Sequence, residues 1–425
     1  MKQIINLLLI YATILLSQSC NRNTNEVEKD VICNFTVNIG DFDRNGSVVS
    51  VPLDKITLIP DTNLTLFEII DNKRIQTDIQ IEITGNKRYL YWILKGNSPK
   101  NTCRYYDLVK KGRSSDKNHF PVSINNKKGG YEFSINGKKI LKYNSDIVEP
   151  PKGVESSYKR SGFINPLYSP DQTILTRIPD SASDHLHHYG LWNAWKKVIF
   201  RGEEIDFFAP QFGQGTIRHT GIVSINEGPV FSNLQALREH ITWQDTKRET
   251  IAMSDLMDIK VYNTNKDCYL IDISYNYNPV KPFLIKEYRY AGFSFRATDL
   301  WTKENTTFFT SEGLNRNQAD GERSRWCVVT GETSNGKSSI QFMSHPVNFN
   351  HPEPMRIWPS SSNKGVGNVF INYNPARNTD WPLQPKNSYL LRYRLLVTKG
   401  PVTNDQAEKA WNEFSNPAKV NYTVL

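Results

Sequence analysis

The sequence predicts an all-β protein: a small N-terminal β-sandwich, then a large antiparallel β-sandwich, with one short helix near the C-terminus. Three observations carry this. Runs of β-branched and aromatic residues, several alternating with polar ones, recur along the chain. Gly, Pro, Asn and Asp punctuate them at short intervals, as turns require. A helical pattern with a start signal occurs only at 404–414, where Asn404 supplies a cap.

The chain opens with a targeting segment, residues 1–20. Lys2 gives a positive start, residues 7–16 form an apolar run too short to span a bilayer, and Ser17-Gln18-Ser19 puts small residues before Cys20. This pattern predicts a lipoprotein signal cleaved before Cys20, lipidation of that cysteine, and a polar tether over 21–30; an ordinary secretory signal is the alternative. The expected place is outside the cytoplasm, lipid-anchored at the outer membrane on its periplasmic or cell-surface side, with no membrane contact except the anchor. Export argues against nucleic acid as a partner. Cleavage removes Lys2 and no acid, so the formal charge falls from +9 to +8, a balance suited to an anionic partner such as a uronate or sulfated glycan. Of the remaining cysteines no pair has metal-ligand spacing. Cys33 with Cys103 is one of the disulfides an exported chain permits.

Residues 31–145 read as the small sandwich, with strands at 33–37, 48–51, 77–83 and 88–94. Within the third, Ile79, Ile81 and Ile83 are expected to share the core face, opposite Asp78, Gln80 and Glu82. Residues 144–153, with Pro150-Pro151, read as a linker. The large sandwich occupies 155–425, with strands at 261–262, 269–275, 283–290, 326–330, 339–343 and 389–397. Gly331-Glu332-Thr333-Ser334-Asn335-Gly336-Lys337-Ser338 matches a phosphate-binding loop letter for letter. A strand pattern succeeds the lysine, however, where that motif needs a helix, so Asn335-Gly336 reads as a hairpin turn.

Asp184-His185-Leu186-His187-His188-Tyr189-Gly190-Leu191-Trp192 is the strongest chemical signal. The protein has eight histidines in 425 residues, and three of them fall here within four positions. Imidazole titrates nearest neutrality, which suits proton transfer or metal binding. In a strand, His185 and His187 would share a face and His188 would oppose them. His219, His240 or His345 could complete a metal site, so a divalent metal here stays open although no cofactor is required. Trp192 beside the cluster offers an aromatic face for a sugar ring.

Arg238-Glu239-His240-Ile241-Thr242-Trp243 reads as a strand with Arg238, His240 and Thr242 on one face and Leu237, Ile241 and Trp243 toward the core. A guanidinium beside an imidazole is what carboxylate binding with proton transfer needs. Lys286, Tyr288 and Tyr290 are expected on one strand face, with Glu287 and Arg289 on the other. The polar loops 311–326 and 345–352 are candidate cleft walls.

The runs 158–170, Tyr158-Lys159-Arg160-Ser161-Gly162-Phe163-Ile164-Asn165-Pro166-Leu167-Tyr168-Ser169-Pro170, and 184–192 resemble the PmoA-like family of exported bacterial proteins. Gly321, Arg325-Trp326-Cys327, His345-Pro346 and the 348–352 turn sit where its weaker motifs are expected. The resemblance covers roughly residues 155–400. It implies a β-sandwich related to sugar-processing folds and a place in polysaccharide degradation; one marine branch looks like a dehydratase acting on ulvan oligosaccharides. The expected reaction is loss of water from a non-reducing-end uronic acid, leaving a 4,5-unsaturated residue. His187, His188, His240 and Tyr290 are the expected proton-transfer residues. Arg238, Arg289 and Arg325 would clamp the carboxylate, with His345 also against the substrate, and Trp192 and Trp326 would stack on sugar. A glycoside hydrolase using two of Asp184, Glu239, Glu287 and Glu312 is the first alternative, and a non-catalytic glycan-binding lipoprotein the second.

Overall fold

The computed structural model describes residues 30–111, 121–180, 184–243, 248–264 and 267–425. The signal, Cys20 and nearly all of the tether lie outside the described residues. The structure is all-β with one α-helix among those residues, Asn404–Ser415. That helix begins one residue after its cap, which is Thr403: its side chain accepts from the Gln406 backbone N–H while Gln406 reaches back, a capping box. No helix among the described residues is long and apolar enough to cross a membrane.

The small unit packs a five-stranded sheet on a three-stranded one around Phe35, Trp92, Tyr106 and Leu108. Its last expected part is not there. Strands Val122–Lys127, Gly130–Ile135 and Lys138–Asn144 belong instead to an eight-stranded sheet of the large unit. The chain's last strand, Lys419–Val424, returns to pair antiparallel with its first, Val31–Asn38. Cys33 is a free buried thiol and so does not bridge to Cys103.

The large unit sets that eight-stranded sheet against a second one, in which Gly215–Asn226, Phe231–Thr242, Thr250–Tyr262, Cys268–Pro279 and Tyr389–Lys399 lie side by side in the same order. The main core fills the space between them. The second sheet's other face is covered by the small unit and by the helix, whose Ala407 and Phe414 pack on Trp326, Val328 and Met343. Ile79 lies in the small unit's core with Ile81 packed against it, the facing expected, and the cover explains why the opposite face of that strand is buried too. Gln80 and Glu82 are buried and Ile83 is 68% exposed, because Gln80 accepts the Phe231 backbone N–H and Glu82 pairs with Lys260 across the seam. The phosphate-loop lookalike is a hairpin with Thr333 paired to Gly336, its turn one residue earlier than expected.

Candidate functional site

The histidines are carried by a turn, not a strand. His185 has φ +49°, and the His188 N–H closes back on the His185 carbonyl at 2.9 Å. The chain reversal brings all three rings together, with centroids 5.8 Å (His185–His187), 5.0 Å (His185–His188) and 4.7 Å (His187–His188) apart. Gly190 ends the turn at φ +57°, where an added Cβ would lie 2.3 Å from the Ile164 carbonyl oxygen, so only glycine fits. Asp184 anchors the start. It accepts from Arg177 at 2.6 Å, from Arg296 at 2.7 Å and from His185 at 3.1 Å. Burial pushes this carboxyl up, but the His185 hydrogen bond and the two guanidiniums outweigh it and hold it down at about 2.

His188 is buried between Phe370, stacked at 4.7 Å, and Trp192 at 5.1 Å. Burial, then the neighbouring charge-bearing groups, holds its pKa well below the usual histidine range. His187 sits against Phe208 at 5.8 Å, and burial, followed by the charges of Arg160, His185 and Lys196, pushes it down to about 3. Both rings are therefore neutral at pH 7, each with a basic nitrogen.

The three rings line a cavity of about 460 Å³ that they share with Lys196, Gln211, Arg289, Tyr290, Arg356 and Trp358. Asp206 fixes one wall: it pairs with Lys196 and accepts the backbone N–H groups of Phe208 and Ala209 at 2.8 and 2.9 Å. Arg356 is held by Asp320. Arg289 is exposed and makes no ion pair with another described residue. Tyr290 packs on Phe208 at 5.1 Å and on Tyr288 at 4.9 Å, and its burial, with Tyr288 beside it, raises the phenol's pKa, so the hydroxyl keeps its proton. The Trp358 ring lies 4.6 Å from His185, and the Arg296 guanidinium sits 4.5 Å from its centroid. The arrangement offers a neutral base, a protonated phenol, cationic walls and an aromatic surface. Among the described residues no group of three His, Cys, Asp or Glu is arranged to hold a metal ion.

Of the expected site residues, His187, His188, Tyr290 and Arg289 meet at this cavity. Tyr290 and Arg289 reach it from a loop, since the strand Phe283–Ile285 ends before them. The others do not reach it. His240 and Arg238 face the core and Leu237 is 37% exposed, the reverse of the expected facing, while Ile241 is buried as expected beyond a register shift at His240. Arg238 donates to Asp255 at 2.9 Å and to the Gly162 carbonyl at 2.9 Å, and His240 lies 3.5 Å from the same aspartate. A buried counter-charge thus pulls the polar face inward. Arg325 and Trp326 both donate to Glu408, at 2.6 and 2.8 Å, and pin the helix. Trp192 is 2% exposed and supports His188 rather than meeting a ligand. His345 lines a different cavity, with Arg392, and His219 bonds Tyr143 at 3.0 Å. Sequence reading missed Lys196, Gln211, Arg356 and Trp358. The last two alternate on one short strand and its exit, a weak signal that only proximity to the histidines makes legible.

Residues 131–412 match the Family of unknown function (DUF6807). The chain belongs to that family. No curated protein matches it. Among solved structures, heparan sulfate lyase HepC from Pedobacter heparinus and a mutant of that lyase align with a TM-score of 0.28, at 8% and 9% sequence identity. Each match covers 69% of this chain and 38% of the solved chain, so this chain spans well under half the length of those structures.

Proposed function

We propose that this protein is a carbon–oxygen lyase, a dehydratase that removes water from the non-reducing-end uronic acid of an anionic, ulvan-type oligosaccharide. The observation that carries the reading is the joint presence, in one cavity, of neutral His187, protonated Tyr290 and the guanidiniums of Arg289 and Arg356. The C5 proton of a uronate lies α to a carboxylate, so its removal places negative charge on that group. Arg289 and Arg356 hold the carboxylate and offset the charge. His187 takes the C5 proton, and Tyr290 gives its proton to the departing 4-hydroxyl. The C5–H and C4–O bonds break, the C4=C5 double bond forms and water leaves; the proton on His187 returns to the phenolate through solvent.

Burial first, and then the cations around it, make His187 a weak base. A bound carboxylate cancels part of that field and lifts its pKa. The acid limb of kcat therefore lies at higher pH than that of kcat/KM. The hydrolase reading needs two flanking carboxylates, and among the described residues no acidic side chain lines this cavity. Glu239 pairs with Arg218 and Glu312 approaches Arg325, both elsewhere.

The test is incubation with uronate-ended oligosaccharides, following ultraviolet absorbance and product mass. Gain of absorbance with loss of one water supports the lyase. Chain scission with gain of one water means hydrolysis. Binding without turnover, unchanged in His187→Gln, means a glycan-binding module.

A further inference from the structure

A second cavity, of about 330 Å³, lies at the seam where the small unit covers the large sheet. Two cross-strand rows on that covered face build its floor. One is Gln235, Asp258, Ser274 and Arg392, and its neighbour is Asn233, Lys260, Asp272 and Arg394, each row set by the antiparallel register of four adjacent strands. The small unit contributes Ser50, Glu82 and Tyr91 from above.

Most of the charge here is matched within the protein. Lys260 bonds Glu82 at 2.8 Å across the seam, and Arg394 forks onto Asp272 at 2.6 and 2.8 Å. Glu413, also in the lining, accepts the Asn45 backbone N–H at 2.7 Å and feels the charges of Arg394 and Lys409. Two groups on the floor are left over. Asp258 feels the charge of Lys260 but accepts its hydrogen bonds from neutral amides, Asn233 and Gln235, both at 2.7 Å. Arg392 touches the His345 ring nitrogen at 3.5 Å and the Phe414 ring at 5.9 Å, but pairs with no carboxylate among the described residues. The nearby Asp272 feels its charge but is occupied by Arg394. Asp258 and Arg392 stand two strands apart, roughly 10 Å at the usual strand spacing, with the Ser274 position between them and open volume above.

We propose that this seam cavity binds one acidic sugar ring, a hexuronate, as a site separate from the histidine cavity. The sugar carboxylate meets Arg392. Hydroxyls on the far side of the ring donate to Asp258, with Gln235 and Ser274 in reach of the hydroxyls between. A pyranose with a hydrogen bond at each end bridges the span. Tyr91, its ring held by the Lys260 ammonium at 4.9 Å and by Phe231 at 5.2 Å, closes the cavity from the small unit's side. The ligand class comes from the cavity's own unmatched charges and does not rest on the reading of the histidine cavity.

The experiment is titration calorimetry of the full chain with D-glucuronate, in a background carrying Arg289→Gln and Arg356→Gln to silence the other cavity. One equivalent binds. Arg392→Gln weakens it about tenfold or more, the size of one charge-assisted hydrogen bond. Asp258→Asn weakens glucuronate and its methyl ester alike, whereas Arg392→Gln affects glucuronate alone. Unchanged thermal unfolding of the Arg392→Gln protein shows that the fold is kept. Absence of binding at millimolar glucuronate in that background overturns the proposal, as does binding indifferent to Arg392→Gln. A dead histidine cavity leaves this result untouched.

Discussion

Two arginine–histidine clusters in this molecule look alike in sequence and differ in kind. Arg238 and His240 lie two residues apart on one strand. They share Asp255 in the core, where Arg238 is 1% and His240 0% exposed. His187 and Arg289 lie far apart in the chain and meet at an open cavity, where Arg289 has no ion-pair partner among the described residues. The first cluster is neutralised internally and closed. The second pairs Lys196 and Arg356 with Asp206 and Asp320 but keeps Arg289 for something that comes from outside. Residue types alone do not mark a site: an unspent charge beside open volume does.

The comparison breaks cleanly by mutation. His187→Gln should lower kcat on a uronate-ended substrate by ~10²- to 10⁴-fold, the usual share of a general base, with little change in thermal unfolding. Steady-state kinetics on folded protein checks this, and near-normal kcat would move the base elsewhere. Asp255→Ala should do the reverse. It strands a buried guanidinium and should cost about 3–5 kcal/mol in urea unfolding, while activity per folded molecule persists. A loss below about 1 kcal/mol would mean that Arg238 finds water. Arg289→Gln should raise KM about tenfold, within the range of a hydrogen bond to a charged group, and leave stability unchanged; an unaltered KM would remove Arg289 from the clamp.

A further effect is on pH. Burial lowers His187 to about 3 from 6.5 in the folded chain. The unfolded chain then binds the proton first as pH falls, so the folded state loses stability progressively from near pH 6.5 down toward pH 3. Lowered His345 and His351, both at about 4 through burial first, add in the same direction. Thermal unfolding between about pH 7 and pH 4 should show the melting temperature dropping, and His187→Gln should flatten part of the drop. A drop identical in the variant would place the acid sensitivity in the other histidines.

Much of the fold is legible in the sequence. Strands such as Cys268–Pro279 and Tyr389–Lys399 alternate strongly, and the helix carries its own start signal. The burial of polar residues at the seam is not. Gln80 and Glu82, on the face away from the small unit's own core, are buried because a second sheet offers them Phe231 and Lys260, and no local pattern contains that partner. The site is half legible. Three histidines in four positions announce themselves, but their convergence depends on a turn with positive φ at His185, whereas a strand would have set His188 against the other two.

The sequence by itself determined the strand-forming pattern, the turns and the density of imidazoles, because backbone propensity and side-chain chemistry act locally. Only the tertiary structure decided which charges would be matched. Arg238 was given Asp255, Arg325 was given Glu408, and Arg289 and Arg392 were given cavities. Electrostatic pairing and burial depend on distances between segments far apart in the chain, and those distances exist only once the sheets have packed.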